Sequence, residues 1–257
     1  MTARGTIQKR RGIKRIYVIK YRRQQDVQKR SEGRRKFDPL KKVRFLLAVP
    51  PESFLITARS KRRVQSLIDS MEHGVILNIG AGRTYYGPRV INIDIYDSGT
   101  TNVLASSLAL PFANASADMV MMQGVLEHVE DANQTFAECY RVLKPGGLFY
   151  TEMPFIQPYH ESPIDMRRST LPGLSHLCYP LVHVESGIHI GPASAMTWML
   201  RELLAGVISG GRFDVYRRVS SLVGWVIFPL KYADYALERL PHLHRIASSC
   251  YFVGRKE

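Results

Sequence analysis

The sequence predicts an α/β fold, in which a mostly parallel sheet has helices on both faces. Short apolar runs alternate with helical stretches along the middle of the chain, a pattern typical of parallel sheets. A chain of 257 residues is also long enough for one large core. The predicted strands are Val75–Ile79, Val90–Ile95, Ala117–Met122, Leu148–Met153 and Tyr251–Val253, and the clearest predicted helices are Ala132–Val142 and residues 192–209.

The composition is that of a soluble globular protein, with 45% hydrophobic and 23% charged residues. The three cysteines, Cys139, Cys178 and Cys250, are far apart, which fits a reducing compartment better than a disulfide framework. No stretch approaches the roughly 20 apolar residues of a membrane-spanning helix. We therefore expect a cytoplasmic protein, peripheral to the membrane at most.

The net charge of +14 belongs to one end of the chain. Residues 1–45 contain 17 Lys and Arg but only three acidic residues, so the remainder is neutral. This composition predicts a flexible basic arm, which is either a solvated tail or a contact for anionic lipid or nucleic acid. A transit peptide also stays open, because residues 1–25 contain no acidic residue.

Pro50-Pro51 separates the arm from the folded part, which we place at residues 52–257. Within it, residues 72–154 contain the predicted nucleotide-binding core. Residues 155–257 would then form a substrate loop and a C-terminal cap. Residues 155–185 lack periodicity and are rich in Pro, His, Tyr and Ser, which is typical of an irregular functional loop.

The first predicted strand runs directly into Gly80-Ala81-Gly82. Glycines at this point let the backbone turn tightly and approach a nucleotide closely. The second strand ends at Asp94, where an acid accepts hydrogen bonds from ribose hydroxyls in doubly wound folds. A nicotinamide oxidoreductase would share both features, but Tyr85 occupies the position of its third glycine and argues against it.

Three further segments follow in a characteristic order: Leu110-Pro111-Phe112, Val125-Leu126-Glu127-His128-Val129 and Arg141-Val142-Leu143-Lys144-Pro145-Gly146-Gly147. With the glycine turn, they resemble the class I methyltransferases, especially the "type 11" group, throughout residues 72–154. The resemblance implies a Rossmann-like, doubly wound sheet of seven strands that binds S-adenosylmethionine at the carboxyl ends of its strands. The cofactor-binding residues that it implies are Gly80, Ala81, Gly82, Asp94, Ser106, Ser107, Leu108, Gln123, Gly124 and His128.

Two positions depart from that family's pattern. Asn78 stands where the first strand usually carries an acid, and Ser106 stands where the adenine contact is commonly Asp. Asn78 stays in the predicted cofactor set because an amide still accepts a hydrogen bond. The loss of two charges leaves a second hypothesis open, a catalytically inactive binding module that the basic arm tethers to membrane or RNA.

The loop from Met153 to His160, with Asp165 and Arg168 beyond it, resembles a subgroup of bacterial methyltransferases. Tyr159 and His160 would follow the carboxyl end of the fourth strand, where open parallel sheets bind substrates. His160 is the predicted base for a hydroxyl acceptor. No metal is expected, because no cluster of His, Cys and Asp has metal-ligand spacing. We expect an oxygen acceptor on a small molecule, glycan or lipid-linked precursor.

Overall fold

The computed structural model describes residues 58–160, 164–237 and 239–257. The predicted basic arm, residues 1–45, lies outside these ranges and stays a prediction. The strands are β1 (Ile76–Ile79), β2 (Val90–Asp94), β3 (Val103–Leu104), β4 (Ala117–Gln123), β5 (Leu143–Pro154), β6 (Val182–Ile190) and β7 (Ser249–Arg255). The α-helices are α1 (Ala58–Asp69), α2 (Ala132–Val142), α3 (Leu171–Leu177), α4 (Pro192–Ser209), α5 (Phe213–Ile227) and α6 (Asp234–Leu237).

The seven strands form one sheet in the order β3-β2-β1-β4-β5-β7-β6. The pairings from β3 to β5 are parallel, and β7 pairs antiparallel with both β5 and β6. All four residues of β1 are buried, as expected for a central parallel strand covered on both faces. The predicted seven-stranded, mostly parallel sheet is confirmed.

Alternate residues of the strands pack into two cores on opposite faces of the sheet. Leu77 and Met122 belong to the core that α2 covers with Phe136 and Cys139. Their sequence neighbours on the strands belong to the second core, which α1 covers with Val64 and Ile68. Helices on both faces therefore follow from the period-two alternation of the strands, and the doubly wound prediction is confirmed.

Helix α2 has the bounds that the sequence predicts, and its local chemistry explains the agreement. The carboxylate of Asp131 accepts a hydrogen bond from the backbone N–H of Gln134 at 2.9 Å, which caps the first turn. Phe136, Cys139 and Val142 recur at three-residue steps and are all buried. A capped helix with an apolar face of this kind is readily predicted from sequence.

The prediction of an irregular stretch over residues 155–185 is wrong in part. It contains α3, which Thr170 caps by accepting from the N–H of Gly173, and the beginning of β6. The first half of β6 is exposed because the strand lies at the edge of the sheet, so its sequence lacks a buried alternation. Only pairing with β7 makes this segment a strand.

Candidate active site

A cavity of about 720 Å³ lies beyond the carboxyl ends of β1, β2 and β4. This size is in the range of small-molecule and cofactor sites. Most of its lining comes from the turns that leave these three strands. The lining residues are Ile79, Gly80, Gly82, Arg83, Asp94, Ile95, Tyr96, Asp97, Ser98, Ala105, Ser107, Gly124, Val125, His128 and Val129. The structure thus brings six predicted cofactor residues together: Gly80, Gly82, Asp94, Ser107, Gly124 and His128.

The glycine turn after β1 has a conformation that side chains rarely adopt. Gly80 has φ +66°, and a Cβ there would lie 2.4 Å from Cγ2 of Val125. Gly82 has φ +52°, and a Cβ there would meet nothing within 4 Å. Gly80 therefore allows two loops to approach, whereas Gly82 leaves open space beside its backbone at the cavity wall. This is the close backbone approach that a nucleotide-binding turn requires.

Asp94 is fixed at the end of β2 by backbone donors. Its Oδ2 accepts from the N–H of Gly82 at 2.8 Å, and its Oδ1 accepts from the N–H of Tyr96 at 2.9 Å. Each carboxylate oxygen retains further acceptor capacity, so Asp94 can also bind a pair of hydroxyls. The carboxylate is oriented in advance, as the predicted role at a ribose diol requires.

Asn78 is buried in β1, and it is not among the described residues that line the cavity. Its Nδ2 donates to Oδ1 of Asn92 at 3.0 Å. Asn92 in turn donates to the carbonyls of Thr84 and Thr100, which belong to the loops around the cavity. The contacts of Asn78 therefore hold these loops in place through Asn92, and direct cofactor contact by Asn78 stays a prediction.

Three other predicted residues, Ala81, Ser106 and Leu108, flank the cavity without being among its described lining residues. Ala81 is buried beneath the glycine turn. The hydroxyl of Ser106 accepts from the N–H of Leu108 at 3.2 Å, which shapes the turn that presents Ser107. These residues stay predicted cofactor neighbours whose observed contacts are local.

Gln123 ends β4 within a buried polar network. Its Oε1 accepts from the hydroxyl of Tyr86 at 2.7 Å, and its Nε2 donates to Glu152 at 3.0 Å. Glu152 also accepts from the hydroxyl of Tyr150, and it lies 3.1 Å from Nε2 of His189. The network fixes the end of β4 just before Gly124, so the observed contacts of Gln123 are those of a positioning residue.

A second group of side chains meets next to His128, at the edge of the cavity. Oε1 of Glu127 lies 3.8 Å from Nε2 of His128 and 4.0 Å from Nε2 of His160. The two imidazole rings meet edge to face, with centroids 5.3 Å apart. His128 also contacts the carbonyl of Ile164 through Nδ1 at 2.7 Å. The predicted base His160 therefore lies beside a predicted cofactor residue, although the two are 32 positions apart in the chain.

Asp165 and Arg168 hold His160 in place. Oδ2 of Asp165 accepts from the backbone N–H of His160 at 2.9 Å and lies 3.3 Å from its Nδ1. The guanidinium of Arg168 makes a two-pronged ion pair with the same carboxylate. Trp198 of α4 covers the ring of His160, with centroids 5.8 Å apart. Tyr159, the other predicted catalytic residue, is 63% exposed, and its role stays a prediction.

Burial shifts the proton affinities of this group in a direction useful for acid–base chemistry. Burial raises the pKa of Glu127 to about 7. Burial lowers the pKa of His160, and this effect outweighs that of the Asp165 carboxylate, which raises the same pKa. His160 is therefore neutral at pH 7 and has a free lone pair, as a general base must.

Glu127, His128 and His160 also satisfy a metal-ligand geometry, since one ligand atom from each lies within 4.8 Å of the others. This group has no metal-ligand spacing in the sequence, because two of its members are adjacent and the third is 32 positions away. Oε2 of Glu127 is buried without a hydrogen-bond partner in the described part of the chain. The prediction that no metal is needed stays a prediction.

Glu127, Arg167 and Trp198 are not among the site residues predicted from the sequence. The guanidinium of Arg167 donates to the carbonyls of Leu126 and Val129, which fastens the loop after His160 to the turn that holds Glu127. Glu127 precedes the predicted cofactor residue His128 in the sequence, and this position was a signal for a role of Glu127 at the site. No sequence signal places Trp198 beside His160, because α4 begins 32 residues after His160 and the contact forms only in the folded chain.

The sheet order and the cavity at the carboxyl ends of β1, β2 and β4 define a Rossmann-like nucleotide-binding fold. Residues 84–151 match the model of a family described as "Methyltransferase domain". This match confirms, over residues 84–151, the resemblance to methyltransferases found in the sequence.

Curated relatives share the same region. The chain is 35% identical over 97 residues to a "Probable S-adenosylmethionine-dependent methyltransferase" of Mycolicibacterium smegmatis. The aligned region covers 31% of this chain and 37% of that protein. It is 42% identical over 67 residues to malonyl-[acyl-carrier protein] O-methyltransferase 1 of Coxiella burnetii. That aligned region covers 25% of this chain and 24% of that protein. The chain thus matches well under half the length of these relatives.

Solved structures show a similar arrangement at low sequence identity. An S-adenosylmethionine dependent methyltransferase from Mesorhizobium loti has a TM-score of 0.47 and 11% identity, over 77% of this chain and 98% of that one. Geranyl diphosphate C-methyltransferase from Streptomyces coelicolor has a TM-score of 0.44 and 15% identity, over 77% and 79%. At these scores, the fold assignment rests on the sheet order of this chain itself.

Proposed function

We propose that this protein is an S-adenosylmethionine-dependent methyltransferase that acts on an oxygen atom. The observation that carries the proposal is the juxtaposition of the cavity with the Glu127–His128–His160 group. The cavity is large enough for a nucleotide cofactor, and the Glu127–His128–His160 group supplies a base at the edge of the cavity. His128 belongs to both, so a donor in the cavity and an acceptor beside His160 would be neighbours.

The residues of the cavity fit the proposed cofactor. The backbone-held carboxylate of Asp94 would accept hydrogen bonds from the ribose hydroxyls. The open space beside Gly82 and the positive φ of Gly124 would admit a ligand close to the backbone. S-adenosylmethionine supplies an activated methyl group when bound, so the protein's tasks are to orient the acceptor and to exclude water.

His160 would take the proton that a hydroxyl acceptor must lose as its oxygen is methylated. Its neutral imidazole has a lone pair at pH 7, and Asp165 stabilises the imidazolium that forms. Glu127 lies 4.0 Å from Nε2 of His160 and has a pKa near 7, so it can relay this proton onward. The role of Trp198 would be to cover the ring and keep water from it.

The alternative of an inactive binding module rested on Asn78 and Ser106. Neither is among the described residues that line the cavity. Their departure from the family pattern therefore leaves the lining residues unchanged, and we favour the enzyme. Asp94, the remaining acid at the predicted ribose site, is present and oriented.

The test is transfer of a tritiated methyl group from S-adenosylmethionine to fractionated lipid and glycan extracts. We expect label in a product that is stable to acid and base, as an ether is, or labile to base, as an ester is. Label recovered on nitrogen would contradict the oxygen acceptor, and transfer to no fraction by a protein that binds the cofactor would favour the inactive module.

A further inference from the structure

Helix α4 turns a continuous apolar stripe toward solvent. Met196, Met199, Leu203 and Val207 recur at three- and four-residue steps, and they are 64%, 46%, 62% and 72% exposed. A stripe with this spacing normally faces a core. Here the opposite side of α4 faces the protein, where Trp198 is buried. The exposed stripe is therefore an apolar surface that the described part of the chain leaves uncovered.

Helix α5 continues this apolar character in the same helical hairpin. Leu222 and Val226 are one turn apart and are 67% and 71% exposed. Two half-exposed tyrosines, Tyr232 and Tyr235, follow the helix, with their rings stacked at 6.3 Å. Exposed aliphatic side chains followed by tyrosines are typical of a surface that meets the interface of a bilayer.

The exposed charges around the hairpin are mostly positive. Among the described residues of the segment 192–246, the exposed charged side chains are five arginines and one aspartate: Arg212, Arg217, Arg218, Arg239, Arg245 and Asp214. The acidic residues Glu202 and Asp234 are engaged in contacts within the protein. Apolar stripes beside exposed arginines complement a membrane surface, whose acyl chains are apolar and whose head groups can be anionic.

We propose that the α4–α5 hairpin, residues 192–227, docks on an anionic membrane surface. In the part of the chain that the structure describes, no helix is long and apolar enough to cross a membrane. The hairpin would lie in the plane of the head groups, with the aliphatic stripes toward the acyl chains and the arginines at the phosphates.

Docking of α4 would also orient the candidate active site. Trp198 lies on the inner side of the same helix and covers His160 at a centroid distance of 5.8 Å. The stripe and the proposed base thus lie on opposite sides of α4. If the proposed function holds, on which this step rests, the acceptor is an oxygen of a lipid-linked molecule that reaches the site from the membrane.

The test is binding of the full chain to vesicles of phosphatidylcholine, alone or mixed with phosphatidylglycerol. We expect sedimentation with the mixed vesicles and little with phosphatidylcholine alone. The chain has two tryptophans, Trp198 and Trp225, and Trp225 is the neighbour of Val226 in α5. Lipids brominated on their acyl chains should therefore quench tryptophan fluorescence, a signal that contact of the basic arm with head groups alone would not give.

A double variant on the two stripes, Leu203→Glu with Val226→Glu, should bind mixed vesicles at least tenfold more weakly and lose the quenching. Val184→Glu is the matched control, since Val184 is 47% exposed on β6, and it should bind as the unaltered chain does. Thermal melting of both variants checks that they fold.

Unchanged binding and quenching in the double variant would overturn the proposal. Vesicle binding without quenching in the unaltered chain would overturn it too, because the arm or another charged surface would then carry the contact. A dimer in solution that the double variant dissociates, without vesicle binding, would assign the stripes to a second copy of this chain instead. None of these outcomes requires methyl transfer, so they are distinct from failure of the proposed function.

Discussion

The cofactor cavity and the acid–base group beside it are built in different ways. The cavity is lined by turns that directly follow β1, β2 and β4, three neighbouring strands within residues 76–129. The acid–base group joins the turn at Glu127 to His160 and to Trp198 of α4, across 71 positions of the chain. One site is fixed by the sheet, whereas the other depends on a loop held by Asp165, Arg167 and Arg168.

This difference suggests a division of labour. The carboxyl ends of central strands give a rigid site, whereas loops tolerate changes in sequence and can be altered for different substrates. Damage to the cofactor cavity should therefore abolish binding of the cofactor. Damage to the loop group should spare that binding and affect the chemistry.

The sharpest separation of the two regions is expected from His160→Asn. Removal of a general base typically lowers the rate 10² to 10⁴-fold, so we expect about that loss in kcat. Affinity for S-adenosylmethionine should stay within about twofold, since His160 is not among the described residues that line the cavity. The control is His183→Asn, since His183 is an exposed histidine of β6 whose Nε2 hydrogen-bonds to Ser186. Equal loss in both variants would remove His160 from the mechanism.

The pH profile gives a second readout of His160. Burial lowers its pKa below 6.5, and only the neutral form accepts a proton. The rate of the unaltered chain should therefore fall as the pH drops through the lowered pKa of His160. The residual rate of His160→Asn should lack that decline. A profile that falls identically in both proteins would point to a different titrating group.

Asp94→Ala should act on the other region. Charge-assisted hydrogen bonds contribute about 1.5–3 kcal/mol each, so loss of the Asp94 carboxylate should weaken binding of S-adenosylhomocysteine by about tenfold or more. Asp69→Ala is the matched control, because Asp69 is an exposed aspartate of α1. Equilibrium dialysis measures both. Unchanged affinity in Asp94→Ala would contradict the assignment of the ribose site.

Gly80→Ala should distort the backbone of the turn that lines the cofactor cavity. The added Cβ would lie 2.4 Å from Val125, at a φ of +66° that alanine adopts at a cost. We expect a loss of about 2 kcal/mol in the free energy of unfolding. Gly206→Ala in α4 is the control: its Cβ would meet nothing within 4 Å, and the helix should gain up to about 1 kcal/mol. Urea unfolding measures both, and equal stability of the two variants would show that the turn tolerates a side chain.

The last effect concerns the pH dependence of stability and is expected at Glu127. Its pKa is about 7 in the folded chain and ordinary in the unfolded chain, so its contribution to stability is present at pH 4.5 and lost as the pH rises through 7. We expect Glu127→Gln to flatten the decline in the free energy of unfolding between these values by about 2.5 kcal/mol. Glu130→Gln, an exposed neighbour, should leave the decline unchanged. Parallel slopes in the two variants would contradict the raised pKa.

The two regions also differ in how far the sequence predicts them. Strand β1 is buried throughout and runs into a glycine turn, so the pattern of the sequence could predict that Gly80, Gly82 and Asp94 lie at one site, as their shared cavity shows. The partners of His160 could not, because Glu127 and Trp198 reach it only after the chain has folded. Strand β6 escaped prediction for a similar reason: its pairing with β7 is long-range and its first half is exposed.

The most direct test of the account is a calorimetric titration of the full chain with S-adenosylmethionine and with S-adenosylhomocysteine. The account predicts binding of one equivalent in the micromolar range, about −8 kcal/mol, and retention of that affinity in His160→Asn. Absence of heat and of any protection from thermal unfolding with both ligands would contradict the assignment of the cavity.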